Sequence, residues 1–125
     1  MTQTLEQQRA ADAWQCAEGC TEPYTKLAKG LPALIMNSGL MQTLAFLEEK
    51  GRKERNGHHS KLGEHLRCWL TRRFPQAIGR SEFAPFMQAL LVAEPRAFQQ
   101  ITAEALAWLR WVRQIAPAVE KRQQH

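Results

Sequence analysis

Apolar side chains recur along most of the chain three or four residues apart, which is the spacing of a helix. Leu62, Leu66, Trp69 and Leu70 illustrate the pattern, since they fall on one stripe of a helix that turns by about 100° per residue. No stretch shows the sustained alternation, rich in β-branched residues, that is typical of a strand. Valine is scarce, whereas alanine, leucine, glutamine and glutamate are abundant. The pattern therefore predicts an all-α fold.

Start and stop signals divide the chain into about six helices. Thr4 and Gln7 form a capping box before the first helix, and Pro23 suits the first turn of the second. Pro32 lies inside the second apolar stripe and predicts a kink or a new helix start there. A chain of 125 residues, 44% of them hydrophobic, is sufficient for one core, so residues 1–125 are predicted to form a single compact bundle. The predicted helices cover approximately residues 5–19, 22–37, 40–50, 61–73, 82–93 and 95–116, with Ser38, Ser60 and Ser81 as the caps of the third, fourth and fifth.

Two polar stretches interrupt the helical pattern. Residues 51–60 contain no aliphatic side chain, and their only aromatic rings are those of His58 and His59. Nothing in this stretch would anchor it to a core, so it is predicted to be a polar, basic loop. Pro117 predicts the end of the last helix, with a frayed polar tail after residue 117.

The net charge of +5 is distributed unevenly along the chain. Residues 1–49 carry a net charge of −3, residues 50–80 carry +7 and residues 81–125 carry +1. A concentration of basic residues on one helix and the loop before it is typical of a surface that binds phosphate groups, although a merely solvated charged face has the same pattern. The candidate residues for a polyanion are Lys50, Arg52, Lys53, Arg55, Lys61, Arg67, Arg72 and Arg73.

Several classes of protein are excluded by requirements that are easy to check. No apolar run approaches the roughly 20 residues of a membrane-spanning helix, and the N-terminus lacks the apolar segment of a signal peptide. The chain is therefore predicted to be cytoplasmic, with no membrane partner. Three cysteines cannot all pair within one chain, and a reducing cytoplasm would keep them as thiols.

No constellation of catalytic residues is apparent. His58 and His59 titrate near neutrality, but they lie in the least anchored stretch with no serine or aspartate arranged around them. Cys16 and Cys20, together with His65 and a further cysteine on the fourth helix, could in principle bind zinc, yet the tight spacing of structural zinc sites is absent. We therefore predict no enzymatic activity, no metal and no cofactor, with the two cysteines as partly buried apolar residues and His65 as a solvated one.

Four tryptophans in 125 residues is a high content. Trp108 belongs to the apolar stripe of the last helix, whereas Trp111 lies some 60° outside its centre at about 100° per residue. Trp111 either widens the core contact or anchors a neighbouring subunit. Gln42, close after a predicted helix break, either caps the backbone or contacts a partner. Gln42 and Trp111 are thus the candidate interface residues.

Two segments resemble a known family. Tyr24–Gly51 contains Leu-Ala-Lys, Pro-x-Leu-Ile and Asn-x-Gly-Leu followed by Gln-Thr-Leu-Ala-Phe-Leu, and Thr102–Ala116 contains Glu-Ala-Leu-x-Trp-Leu-x-Trp. Both are similar to stretches of the small, all-helical subunit of the type III-B (Cmr) CRISPR-associated RNA-guided effector complex. The family often has a basic residue near the Asn-x-Gly break, where this chain has Met36. We therefore assign the candidate RNA surface to the basic middle segment, which the matching motifs do not cover.

The resemblance implies a non-catalytic subunit of a ribonucleoprotein that acts in antiviral defence. Its expected partners are the other subunits of the complex, further copies of itself, and the duplex of CRISPR RNA and target RNA, with no cofactor. A helical protein–protein adaptor, whose basic face meets an acidic partner without touching RNA, is the alternative. A helix-turn-helix DNA reader is a third interpretation, although no clear glycine-containing turn joins two helices with a readable face.

Overall fold

The computed structural model describes residues 2–54 and 57–121. Within these ranges the chain forms helices and no strands, which confirms the all-α prediction. The helices are α1 (Leu5–Ala17), α2 (Glu22–Ser38), α3 (Leu40–Lys53), α4 (His58–Arg73), α5 (Phe83–Val92) and α6 (Pro95–Val119). None of these helices has the length and apolar character needed to cross a membrane.

The start of α1 is the capping box that the sequence predicts. The Thr4 side chain accepts a hydrogen bond from the Gln7 amide at 3.1 Å, and the Gln7 side chain accepts one from the Thr4 amide at 2.8 Å. The helix ends at Ala17, two residues earlier than predicted, before a turn in which Gly19 has a φ of +74°. A left-handed conformation of this kind favours glycine.

Pro32 does not divide α2, so the prediction of a new helix start there is wrong. Leu31 and Ile35 on either side are buried, and their packing offsets the hydrogen bond that proline cannot donate. The break comes at Gly39, whose φ of +87° both ends α2 and precedes α3. Ser38 is the last residue of α2 and caps nothing.

The predicted loop at 51–60 is mostly helical. The third helix continues to Lys53 and the fourth begins at His58, so the connection shortens to residues 54–57. The anchor is a close backbone approach that apolar patterning does not reveal: a Cβ on Gly51 would lie 3.0 Å from the Cα of Ser60. Glycine at position 51 therefore lets the end of α3 pack directly on the start of α4.

Three other predicted helix boundaries differ from those in the structure. Ser60 and Ser81 are not caps, since α4 is preceded by Gly57 and α5 by Glu82. The prediction that Pro117 ends the last helix is wrong, because α6 runs through it to Val119. The end of α6 is tied to the α1–α2 turn by the backbone, where the Lys121 amide donates to the Cys20 carbonyl at 2.6 Å. The last four residues of the predicted frayed tail, 122–125, lie outside the described residues.

One apolar cluster contains side chains from all six helices. The long α6 packs against both α1 and α2, while α3 packs against α4. The largest fully buried side chains are Trp69 of α4, Trp108 of α6 and Phe86 of α5. This arrangement places the two ends of α4 in different surroundings: its start lies beside the end of α3, and its last turns face α1 and α6.

Candidate RNA interface

The basic middle segment separates into two groups of side chains. Four cations surround the connection between α3 and α4, and we call them the edge cations: Lys50, Arg52, Lys53 and Lys61. Three arginines lie further along α4, and we call them the anchored arginines: Arg67, Arg72 and Arg73. The remaining candidate, Arg55, lies outside the described residues.

The edge cations are exposed and weakly paired. Arg52, 77% exposed, approaches Glu48 at 3.5 Å, and Lys53 lies 3.9 Å from Glu49. Ion pairs of this kind on a helix surface contribute at most about 0.5 kcal/mol, so an incoming phosphate displaces them easily. Lys50 and Lys61 form no ion pair within 4.0 Å with any described residue.

Arg67 is held inside the protein. Its side chain is only 11% exposed, and its Nε donates to the Ser81 carbonyl at 2.9 Å. One of its terminal nitrogens lies 3.4 Å from Glu48, and the guanidinium stands over the ring of Phe83. This arginine joins α4 to α3 and to the segment before α5, so it is not available to a ligand.

Arg73 takes part in a buried cluster centred on Glu104 of α6. The Glu104 carboxylate, whose side chain is 4% exposed, accepts two hydrogen bonds from Arg9 at 2.7 and 2.8 Å. It accepts a third from the indole nitrogen of Trp69 at 3.1 Å, and Arg73 lies 3.6 Å away. A single carboxylate thus connects α1, α4 and α6.

Arg72 is fixed by a second carboxylate, Asp12 of α1. Its Nη1 donates to Asp12 Oδ1 at 2.9 Å, and its guanidinium lies 5.5 Å from the ring centroid of Trp69. The indole nitrogen of Trp108 donates to the other Asp12 oxygen at 2.7 Å. The interaction with Asp12 and the contact with Trp69 hold Arg72 against the protein, although its side chain is 65% exposed.

The titration of Glu104 reflects its surroundings. Burial raises the pKa of this carboxyl, but the hydrogen bonds from Arg9 and Trp69 and the charges of Arg9 and Arg73 outweigh burial and hold the pKa below its ordinary value. The same hydrogen bond raises the pKa of Arg9. Glu104 is therefore a charged, fully partnered carboxylate at neutral pH, with a structural role.

His65 is not the solvated residue that the sequence suggests. Its Nδ1 lies 2.8 Å from the Tyr24 hydroxyl, and the two rings meet edge to face. Burial lowers the pKa of His65, so the neutral imidazole is the form that the site favours. The prediction failed because Tyr24 of α2 packs against α4, a contact that the sequence does not reveal.

Cys16 and Cys20 are partly buried, as expected. Burial raises the pKa of both thiols, which keeps them protonated and poorly nucleophilic. The Cys16 thiol donates to Asp12 at 3.6 Å. Within the described ranges, Cys16, Cys20 and His65 do not come together as a set of three metal ligands.

Family comparison agrees with the fold. A model of the CRISPR-associated protein family Cas_Cmr5 matches residues 5–119. The chain belongs to the Cmr5 family. The resemblance to the small helical subunit of type III-B Cmr complexes is thereby confirmed.

Relatives extend the match over most of the chain. A "CRISPR system Cmr subunit Cmr5" of Thermus thermophilus is 29% identical over 96 residues, covering 77% of this chain and 74% of the relative. The protein of the same description from Thermotoga maritima is 40% identical over 45 residues, 36% of this chain and 35% of the relative. The crystal structure of a Cmr5 family protein from Thermus thermophilus superposes with a TM-score of 0.73 at 26% identity, covering 95% of this chain and all of that one.

The two candidate interface residues differ in exposure. Gln42 is exposed in the first turn of α3, while Trp111 is partly buried and packs against the apolar core. Trp111 also lines a surface cleft of about 490 Å³ between α1 and α6, together with Arg9 and Arg110. Trp111 thus contacts the core on one side and borders a surface that is open to a partner on the other.

Sequence reasoning missed the two carboxylates that organise the end of α4. Glu104 lies three residues after Ile101 and four before Trp108, inside the apolar stripe of α6. A charged residue in such a stripe is almost never buried without a partner, so its position alone indicated a buried ion pair. Asp12, beside the buried Ala13, gave a weaker signal of the same kind.

Proposed function

We propose that this protein is a non-catalytic structural subunit of a type III-B Cmr effector complex, in the cytoplasm, and that its edge cations help to hold target RNA along the guide RNA. Membership of the Cmr5 family supports the first part. The observation that supports the second is the difference in pairing within the basic segment: Lys50 and Lys61 form no ion pair with a described residue, and Arg52 and Lys53 form loose ones. Duplex phosphates would replace these weak contacts.

Copies of the subunit stack beside one another in this proposal. Support comes from large apolar side chains left on the surface, namely Met36 at 76% exposure, Leu91 at 70% and Val92 at 84%. Trp14 adds a half-exposed indole on α1. Isolated exposed residues of this size need no explanation, but in a subunit of an assembly they are natural contact points, as are Gln42 and Trp111. Several copies, each with a few phosphate contacts, would bind RNA firmly by avidity.

A protein–protein adaptor is the second candidate. It is favoured by four carboxylates of α3, α4 and the connection between them, which lie in the same part of the chain as the edge cations: Glu48, Glu49, Glu54 and Glu64. They lower the local net charge, and a surface of mixed charge suits a protein partner as well as a polyanion.

Ultraviolet crosslinking in the assembled complex separates the two candidates. With radiolabelled target RNA bound, the RNA proposal expects crosslinked peptides of this subunit to map to residues 50–61. The quadruple variant Lys50→Ala, Arg52→Ala, Lys53→Ala and Lys61→Ala should lose these crosslinks while its incorporation into the complex is unchanged. Absence of crosslinks in this segment of the unmodified subunit, together with failure of the variant to assemble, would favour the adaptor.

A further inference from the structure

The connection between α3 and α4 brings together three side chains that are suited to a transition metal. Glu54 follows the last residue of α3, and His58 and His59 are the first two residues of α4. Each offers one ligating atom, and the three atoms all lie within 4.8 Å of one another. Within the described residues this is the one group of three or more possible ligands at such distances.

The three side chains are held near one another by the local fold. The amide of Gly57 donates to the Glu54 carbonyl at 3.0 Å, and a Cβ on Gly57 would lie 3.3 Å from the Glu54 carboxylate. The carboxylate therefore folds back over the start of α4. The ring of His59 packs edge-on against Phe46 of α3, with the centroids 5.6 Å apart, and the two imidazole rings lie 4.2 Å apart.

One nitrogen atom of this cluster, on His59, lacks a hydrogen-bond partner among the described residues. This atom is Nδ1, and it is buried. Buried polar atoms in folded proteins almost always have a partner, and a bound ion is one of the recognised explanations when none is seen.

We propose that Glu54, His58 and His59 form a binding site for Zn²⁺ or a similar first-row divalent metal, which clamps the end of α3 to the start of α4. Two imidazoles and one carboxylate are a donor set that zinc accepts, leaving a fourth position for water. Tetrahedral bonds of about 2.0–2.1 Å place ligand atoms roughly 3.3 Å apart. Because the three ligating atoms already lie within 4.8 Å of one another, metal binding requires them to approach by about 1.5 Å at most. The Glu54 carboxylate offsets part of the positive charge that the metal adds beside the edge cations. The site is independent of RNA binding and of the proposed function.

Titration of the tag-free, full-length chain with Zn²⁺ by calorimetry tests the site, with Mg²⁺ as the comparison metal. We expect one Zn²⁺ per chain and no measurable Mg²⁺ binding, because histidine nitrogen is a poor ligand for Mg²⁺. His59→Gln and Glu54→Gln should each lower the Zn²⁺ affinity at least tenfold. His125→Gln, which alters a histidine of the tail, is the matched control and should leave the affinity unchanged.

A second readout depends on the clamp itself. At Zn²⁺ a hundredfold above its dissociation constant, the melting temperature of the native chain should rise by about 10 °C. The His59→Gln chain should melt close to the metal-free native chain and show no such rise. Co²⁺ in place of Zn²⁺ should give the strong visible absorption of a four-coordinate site. Retention of full Zn²⁺ affinity by both ligand variants, or its loss in Cys16→Ser with Cys20→Ser instead, would overturn the proposal.

Discussion

The two ends of α4 carry basic residues with opposite roles. At the start, Lys61 stands with Lys50, Arg52 and Lys53 in solvent, with loose pairing or none among the described residues. At the end, Arg72 and Arg73 contact Asp12 and Glu104, carboxylates that belong to α1 and α6. Asp12 of the acidic first part and Glu104 of the last part of the chain therefore neutralise some of the basic middle part once the chain is folded. A charge count along the sequence overstates the positive surface that a polyanion would meet.

Loss of Glu104 should have the largest effect. Glu104→Ala removes the acceptor of the partly buried Arg9 and of the indole nitrogen of Trp69, and it removes the carboxylate beside the partly buried Arg73. Breaking a buried ion pair costs about 3–5 kcal/mol of the free energy of unfolding, and we expect a loss near the lower end because both arginines keep some exposure. Urea denaturation followed by tryptophan fluorescence measures the loss. Glu64→Ala, an exposed carboxylate on α4, is the control and should change stability by less than about 0.5 kcal/mol; equal effects of the two would contradict the cluster.

Removal of Asp12 should have an intermediate effect. Asp12→Ala takes the acceptor from the buried indole nitrogen of Trp108 and frees Arg72. An unsatisfied buried donor costs about 1–3 kcal/mol. The same urea titration tests this, with Glu6→Ala on the exposed side of α1 as the control. If Asp12→Ala proved as mild as the control, Arg72 would have to be counted with the edge cations.

Acid should lower the free energy of unfolding by protonating Glu104, which holds the end of α4. Since the pKa of Glu104 in the folded protein lies below its ordinary value of 4.5, its ionisation stabilises the fold fully above about pH 4.5. That stabilisation is lost as the pH falls through the lowered pKa. Glu104→Gln should therefore show a shallower decline of the free energy of unfolding between pH 5 and pH 3 than the native chain. Parallel declines would show that Glu104 does not contribute to the pH dependence.

Local signals predicted much of the fold, and distant contacts account for most of the failures. The capping box of Thr4 and Gln7 and the turn at Gly39 depend on neighbouring residues, so they could be predicted from the sequence. The new helix start expected at Pro32 and the helix end expected at Pro117 were wrong, because packing of α2 and α6 in the core outweighs the missing donor. Apolar patterning equally gives no sign that Gly51 packs on Ser60.

The candidate site was predicted in part for the same reason. Exposed cations at the end of α3 follow from the polar sequence around them. The anchoring of Arg72 and Arg73 does not, because Asp12 and Glu104 lie 60 and 31 positions away in the chain. The position of Glu104 within an apolar stripe offered a hint of this pairing, and Asp12 beside the buried Ala13 offered a weaker one.

The salt dependence of target-RNA affinity in the assembled complex tests the central comparison most directly. The quadruple edge variant is compared with a matched variant that replaces three lysines and one arginine exposed elsewhere: Lys26→Ala, Lys29→Ala, Lys121→Ala and Arg110→Ala. We expect the slope of log K against log salt to flatten by about 0.7–0.9 per lost phosphate contact in the edge variant and to stay unchanged in the matched one. Equal slopes for native complex and edge variant would contradict the assignment of RNA binding to the edge cations.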